Sequence, residues 1–157
     1  MISDKKINKF EKNIGYFFKN KKLLINSLVH PSYLTDNKKN KIKVVNNFER
    51  LEFLGDRVLG LAISDTLYEI FPNESEGDLA RRIAVLVSGK TLAEIANNIN
   101  IPDVILVADN LSFKNGENHS ILADTMEAII GAIFLDSNYK AALIFIKNIW
   151  NALILNY

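Results

Sequence analysis

Apolar positions recur at helical spacing along most of the chain, and alternating, strand-like runs are scarce. Residues 5–18 and 21–29 read as two helices around a Lys19-Asn20 turn. His30-Pro31 ends the second, because a residue before proline is pushed out of the α region. Residues 35–45 are polar and lysine-rich, which predicts a mobile loop. A long helix follows from about Asn47 to Phe71, with Asn46 three residues before Glu49 as a capping box and Pro72-Asn73 as the stop. Residues 76–88 and 90–98 predict two more helices with Gly89 between them. After a short apolar stretch at 102–107, residues 110–119 form a polar loop with a turn at Asn115-Gly116. Residues 121–135 make an almost wholly apolar helix, with Ser120 as its N-cap, and a helix over 140–155 closes the chain. The expected fold is all-α and compact, one domain over residues 1–157, with no internal repeat.

Composition narrows the chemistry. Apolar residues make up 48% of the chain, enough for a real core, and there is no cysteine. Disulfides, zinc–thiolate sites and thiol nucleophiles are therefore excluded. The N-terminus is charged and lacks the apolar run of a signal peptide. No stretch approaches the roughly 18 apolar residues of a membrane span, so a soluble, cytoplasmic protein without a membrane partner is expected. The net charge of +1 hides a split. Residues 1–43 hold eleven lysines against Asp4, Glu11 and Asp36, a net +8, and the remainder is −7. Such asymmetry fits either a basic flank for a polyanion or a lysine-rich solvated surface.

The acids carry the argument for function. Glu49, Glu52 and Asp56 fall within about 60° on one side of the long helix. On an exposed helix their repulsion costs a few tenths of a kcal/mol per pair, so a solvated face explains this stripe equally well. The second helix changes that balance. Over residues 121–135 the only ionisable groups are Asp124 and Glu127, neighbours on one face. A helix apolar nearly all round is buried, and paired carboxylates there need a cation. No basic residue lies on this segment, and a metal serves both acids at once. Facing the two helices gathers Glu49, Glu52, Asp56, Asp124 and Glu127 into one oxygen-rich site between two core helices. Those ligands suit Mg²⁺ or Mn²⁺, and such a site performs phosphodiester cleavage. No Ser–His–Asp arrangement or glycine-rich phosphate loop competes, so no nucleotide cofactor is expected. Phe53 projects about 40° from Glu49, on the acidic side, with Gly60 on nearly the same line. It is either a lone surface aromatic or an anchor for a partner, for which a twofold homodimer is the commonest arrangement.

At Glu49-Arg-Leu-Glu-Phe-Leu-Gly-Asp56 the sequence resembles the signature of the ribonuclease III family, eight positions in a row. The likeness continues through Phe10–Lys19, Leu28-Val-His-Pro-Ser32, Glu76-Gly-Asp-Leu79, Lys90–Ala96 and Ile121–Gly131, about residues 8–150 in the family's order. The resemblance implies a homodimer that cuts double-stranded RNA in rRNA and mRNA precursors, leaving 5′-phosphates and short 3′ overhangs. It implies Glu52, Asp124 and Glu127 as metal ligands, Asp56 and Glu127 as catalytic, Glu49 as a supporting acid, and Phe53 as the aromatic inserted into the partner. Two features depart from the family. It often has a basic residue where Ile83 stands, with Arg81 and Arg82 adjacent here, and its bacterial members usually carry a C-terminal double-stranded-RNA-binding domain, expected to be absent from this chain.

The remaining candidates are ordinary by comparison. His30 reads as a helix-end residue and His119 as an exposed loop position, each with a minor claim to the site. Trp150 reads as core or interface, and Arg57, Arg81 and Arg82 as either phosphate contacts or surface ion pairs. Three alternatives stand beside the nuclease: a catalytically idle RNA-binding module, a helical nucleotide pyrophosphohydrolase, and a di-iron bundle, the last lacking its E-x-x-H histidines.

Overall fold

The computed structural model describes residues 2–36 and 47–156. Its first helix stops earlier than the apolar pattern predicts. α1 (Asp4–Ile14) is capped by Ser3, whose hydroxyl accepts from the Lys6 amide, and ends where Gly15 turns left-handed at φ 69°. Glycine takes that conformation without a Cβ clash, and the Tyr16 N–H closes the turn on the Glu11 carbonyl at 3.2 Å. Residues 16–18 are therefore not helical, against the expected run to residue 18. Phe18 is still buried, and its N–H donates at 2.8 Å to the Glu11 carboxylate, itself only 1% exposed and ion-paired with Lys21.

α2 (Lys21–Leu28) follows, and a single parallel bridge ties its end to the far side of the sequence. The Leu106 N–H donates to Leu28 at 2.8 Å and the His30 N–H to Leu106 at 2.9 Å. Pro31 does more than end α2. It opens a short α3 (Pro31–Asp36), where its missing N–H is no loss at the first helical position. Thr35 and Asp36 complete that helix, and the rest of the loop expected over 35–45 lies outside the described residues, as does the expected cap Asn46. α4 (Phe48–Ile70) has Asn47 at its N-cap without a side-chain cap hydrogen bond.

α5 (Glu76–Leu86) opens with a capping box between Ser75 and Asp78. Ser88 caps α6 (Gly89–Asn98), which makes Gly89 its first residue rather than the expected break. Single 3₁₀ turns occur at Ile101–Asp103 and Lys114–Gly116. α7 (His119–Asp136) begins from a left-handed Asn118, two residues before the predicted cap Ser120, and α8 (Tyr139–Asn156) completes the order. Among the described residues there is no strand, and no helix is long and apolar enough to cross a membrane.

α7 is the central helix, with α4 lying along it and α2 and α6 on its other sides. Leu122, Met126, Ile129, Ile130 and Ile133 of α7 are fully buried, as are Leu59, Ile63 and Leu67 of α4. Trp150 of α8 is also buried, and its indole N–H donates to the Leu86 carbonyl at 2.9 Å. Two glycines set the closest approach in the molecule's centre. A Cβ on Gly55 would enter the Glu127 carbonyl group, and one on Gly131 would enter that of Leu51. Backbone meets backbone there, so the helices run closer than side chains permit. At the far end of α7, Asp136 accepts from the Tyr16 hydroxyl at 2.8 Å and from the Lys19 and Asn20 amides at 2.9 and 2.7 Å.

Candidate metal centre

Leu51 and Gly55 turn toward α7, so Glu52 and Asp56, each one residue further on, emerge at the rim of the seam. Asp124 and Glu127 come up from α7 one turn apart. Glu52, Asp124 and Glu127 each place a carboxylate oxygen within 4.8 Å of the other two, and all three side chains are half-buried.

Burial and mutual repulsion act together on these acids. The Glu127 carboxyl is pushed up to about 7, first by burial and then by Asp56, Asp124 and Glu52, with Arg57 opposing. Burial raises Glu52, and Asp124, Glu49 and Asp56 raise it further. Asp124 is raised by burial, with His30 pulling it back. A group of carboxylates that each resist ionisation is one short of positive charge.

The five acids expected to gather divide into three and two. Asp56 stands close enough to act on Glu52 and Glu127, but its carboxylate is ion-paired with Arg57. Glu49 is exposed in the first turn of α4 and acts on Glu52 through its charge.

His30 is nearer to this centre than its sequence position announces. It follows the C-cap of α2, as expected of a helix-end residue, and burial lowers its pKa while Asp124 and Glu49 raise it. Its Nδ1 accepts the Ser32 N–H at 3.2 Å and lies 2.8 Å from the Ser32 hydroxyl. With Nδ1 accepting, the proton of the neutral ring sits on Nε2. The ring also stands edge-on to Phe48, 5.3 Å between centroids. No spacing in the sequence links His30 to Asp124; the Val29–Leu106 bridge that positions this segment is long-range. His119 is exposed and is the first residue of α7 rather than part of the loop.

Arg57, Arg81 and Arg82 each have a carboxylate partner. Arg57 pairs with Asp56 and stacks 5.4 Å over the Phe53 ring, and Arg81 pairs with Asp78. Arg82 grips Glu74 with two bonds of 2.7 and 2.5 Å and lies 3.9 Å over Phe71, an arrangement that anchors the start of α5. Ile83, where a basic residue was a family expectation, packs against the core. On the outer side of α4, Phe53 is 65% exposed, and Leu61 and Tyr68 continue the same stripe at 58% and 77%.

This arrangement has close parallels. A family model described as Ribonuclease-III-like matches residues 20–153, which include both acid-bearing helices. The chain belongs to the ribonuclease III family. Ribonuclease 3 of Ehrlichia canis (strain Jake) is 43% identical over 145 residues, 92% of this chain and 62% of that protein. Ribonuclease 3 of Zymomonas mobilis is 39% identical over 155 residues, 98% of this chain and 59% of its own length. The chain thus spans about three-fifths of the length of these relatives. Among solved structures, a nuclease domain of ribonuclease III from Campylobacter jejuni matches with a TM-score of 0.80 at 40% identity, over 93% of this chain and 96% of that one. Dicer from Pichia stipitis shares the fold, with a TM-score of 0.66 at 22% identity, over 89% of this chain and 58% of its own. The ribonuclease III family is metal-dependent, and the acids of α4 and α7 form a group able to hold a metal ion.

Proposed function

We propose that residues 1–157 form one catalytic domain, a magnesium-dependent endoribonuclease that cuts double-stranded RNA. The products carry 5′-phosphates and short 3′ overhangs, and the setting is rRNA and mRNA precursor processing. The observation behind this is the convergence of Glu52, Asp124 and Glu127 from two helices, every donor an oxygen and every charge negative. Hard donors without sulfur or imidazole suit magnesium, with manganese as a substitute.

Bound magnesium supplies an activated water and a polarised phosphoryl group. Glu52, Asp124 and Glu127 hold it. Glu127, with its pKa at about 7, keeps a proton part of the time near neutrality and releases it when a cation enters. Asp56 lies close enough to act on Glu127 through its charge, and these two act in the chemical step. Glu49 supports them from the first turn of α4. Arg57, Arg81 and Arg82 contact phosphate only weakly, since each guanidinium already has a carboxylate partner.

Cutting both strands takes two such sites, and the exposed stripe of Phe53, Leu61 and Tyr68 fits a second copy of the chain. The Campylobacter jejuni domain is described as flexible in a region involved in dimer formation. Phe53→Glu is expected to shift sedimentation from dimer to monomer and to abolish double-strand cleavage. An unchanged dimer would remove Phe53 from the interface.

The deciding experiment incubates the purified chain with duplex and single-stranded RNA, in magnesium and in chelator. Cleavage confined to duplex RNA with magnesium is expected, and Glu127→Gln should lose it by about a thousandfold or more while still binding RNA. Native-rate cleavage by that variant would take Glu127 out of the mechanism. Binding of duplex RNA without any cutting would mark an idle module, and turnover of nucleoside triphosphates alone would mark a pyrophosphohydrolase.

A further inference from the structure

α1 keeps its apolar residues on one side, where Ile7, Phe10 and Ile14 are buried. Lys5, Lys9 and Lys12 fall within about 60° of one another on the opposite side. All three are exposed, and none belongs to an ion pair among the described residues, where Lys21 and Lys147 do. Two hollows adjoin the ridge they form. On one flank Lys6, Lys9, Lys12 and Asn13 face the 100–104 segment across a cleft of about 790 Å³. Lys6 reaches over it to donate to the Asp103 carbonyl at 3.2 Å. Lys5, Asn8, Lys9 and Lys12 border a second, open hollow of about 550 Å³.

From Lys5 to Lys12 the helix rises about 10 Å, the length over which a duplex strand presents about three phosphates. The ridge also belongs to the half of the sequence with net +8, whereas the acids of the metal centre repel phosphate. An anionic membrane is the other partner with that charge. Surface-bound helices, however, push large apolar side chains into the lipid, and those of α1 are buried in the protein.

We propose that the lysine ridge of α1 is an accessory docking surface for the phosphate backbone of duplex RNA, separate from the metal centre. This rests on the nuclease assignment for its ligand. Three contacts predict a salt slope steeper by about 2.7, so between 50 and 200 mM salt the native chain loses about 40-fold more affinity than a chain without them.

The test compares the native chain with the triple variant Lys5→Gln, Lys9→Gln, Lys12→Gln, measuring anisotropy of a labelled RNA duplex in chelator. The variant should bind more weakly and show the shallower slope. At saturating RNA in magnesium it should still cut at the native rate, and the corresponding triple arginine variant should restore binding. Thermal melts check that all three proteins are folded. If the native chain cuts duplex RNA and the glutamine variant matches its affinity and slope, the ridge is overturned and the nuclease assignment stands. If the native chain neither binds nor cuts duplex RNA, both fall. Loss of binding to phosphatidylserine vesicles with RNA affinity intact would overturn the proposal in favour of a lipid surface.

Discussion

At the α4–α7 seam, Glu52, Asp124 and Glu127 crowd negative charge into a half-buried cluster; along α1, Lys5, Lys9 and Lys12 crowd positive charge onto an open ridge. Each is a cluster of three like charges, but the surroundings differ. Water and salt screen the ridge, where each like pair costs a few tenths of a kcal/mol. At the seam, removal from water compounds the repulsion, and Glu127 is left with a pKa of about 7. Only the seam therefore has reason to recruit a single small cation, whereas the ridge suits a long, extended anion.

The contrast breaks most severely at the glycine that lets the acids meet. Gly55→Ala should cost about 3 kcal/mol of stability by denaturant unfolding, because a Cβ there enters the Glu127 carbonyl. Displacing the acids by 1 Å should also slow cleavage about a hundredfold. Native stability and rate in this variant would mean that the seam has room for a Cβ at Gly55. Next in size is the response to metal. Magnesium at a hundred times its dissociation constant should stabilise the native chain by about 2.7 kcal/mol in calorimetry, and Asp124→Asn should lose most of that gain.

The dependence on pH is subtler. With the folded pKa of Glu127 at about 7 and its ordinary value at 4.5, the folded chain holds more protons than the unfolded one between these limits. Stability without metal should therefore fall as pH rises through that window, and magnesium should raise the melting temperature more at pH 7.5 than at pH 5. Equal gains at both would argue that no proton leaves as the ion enters. The smallest effect belongs to the ridge: Lys9→Gln should add a few tenths of a kcal/mol at low salt and nothing at high salt.

Much of this was legible in the sequence, because α4 and α7 are long and strongly patterned. Asp124 and Glu127 stood out as the only charges within an apolar helix, and the structure brings both to Glu52. What escaped was governed by single backbone conformations or by distant contacts. Gly15 ends α1 through a left-handed turn, although apolar residues continue to Phe18. Pro31 starts a helix instead of only stopping one, and Asn118 rather than Ser120 opens α7. The stripe of Glu49, Glu52 and Asp56 was legible, and both outer acids act on Glu52 through their charge, but the Asp56–Arg57 pair was not foreseen. His30 comes near Asp124 through a bridge between segments far apart in the chain.

The three bonds that Asp136 accepts lie at the opposite end of α7 from its acids. One residue of twist in a helix is about 100° of rotation, enough to point Asp124 and Glu127 away from Glu52 without moving the axis. By pinning the last turn of α7 to the entrance of α2, Asp136 adds a fixed point that resists rotation of the whole rod. The bearing of the acids is thus held at two places, the glycine seam beside them and a clamp that never touches them.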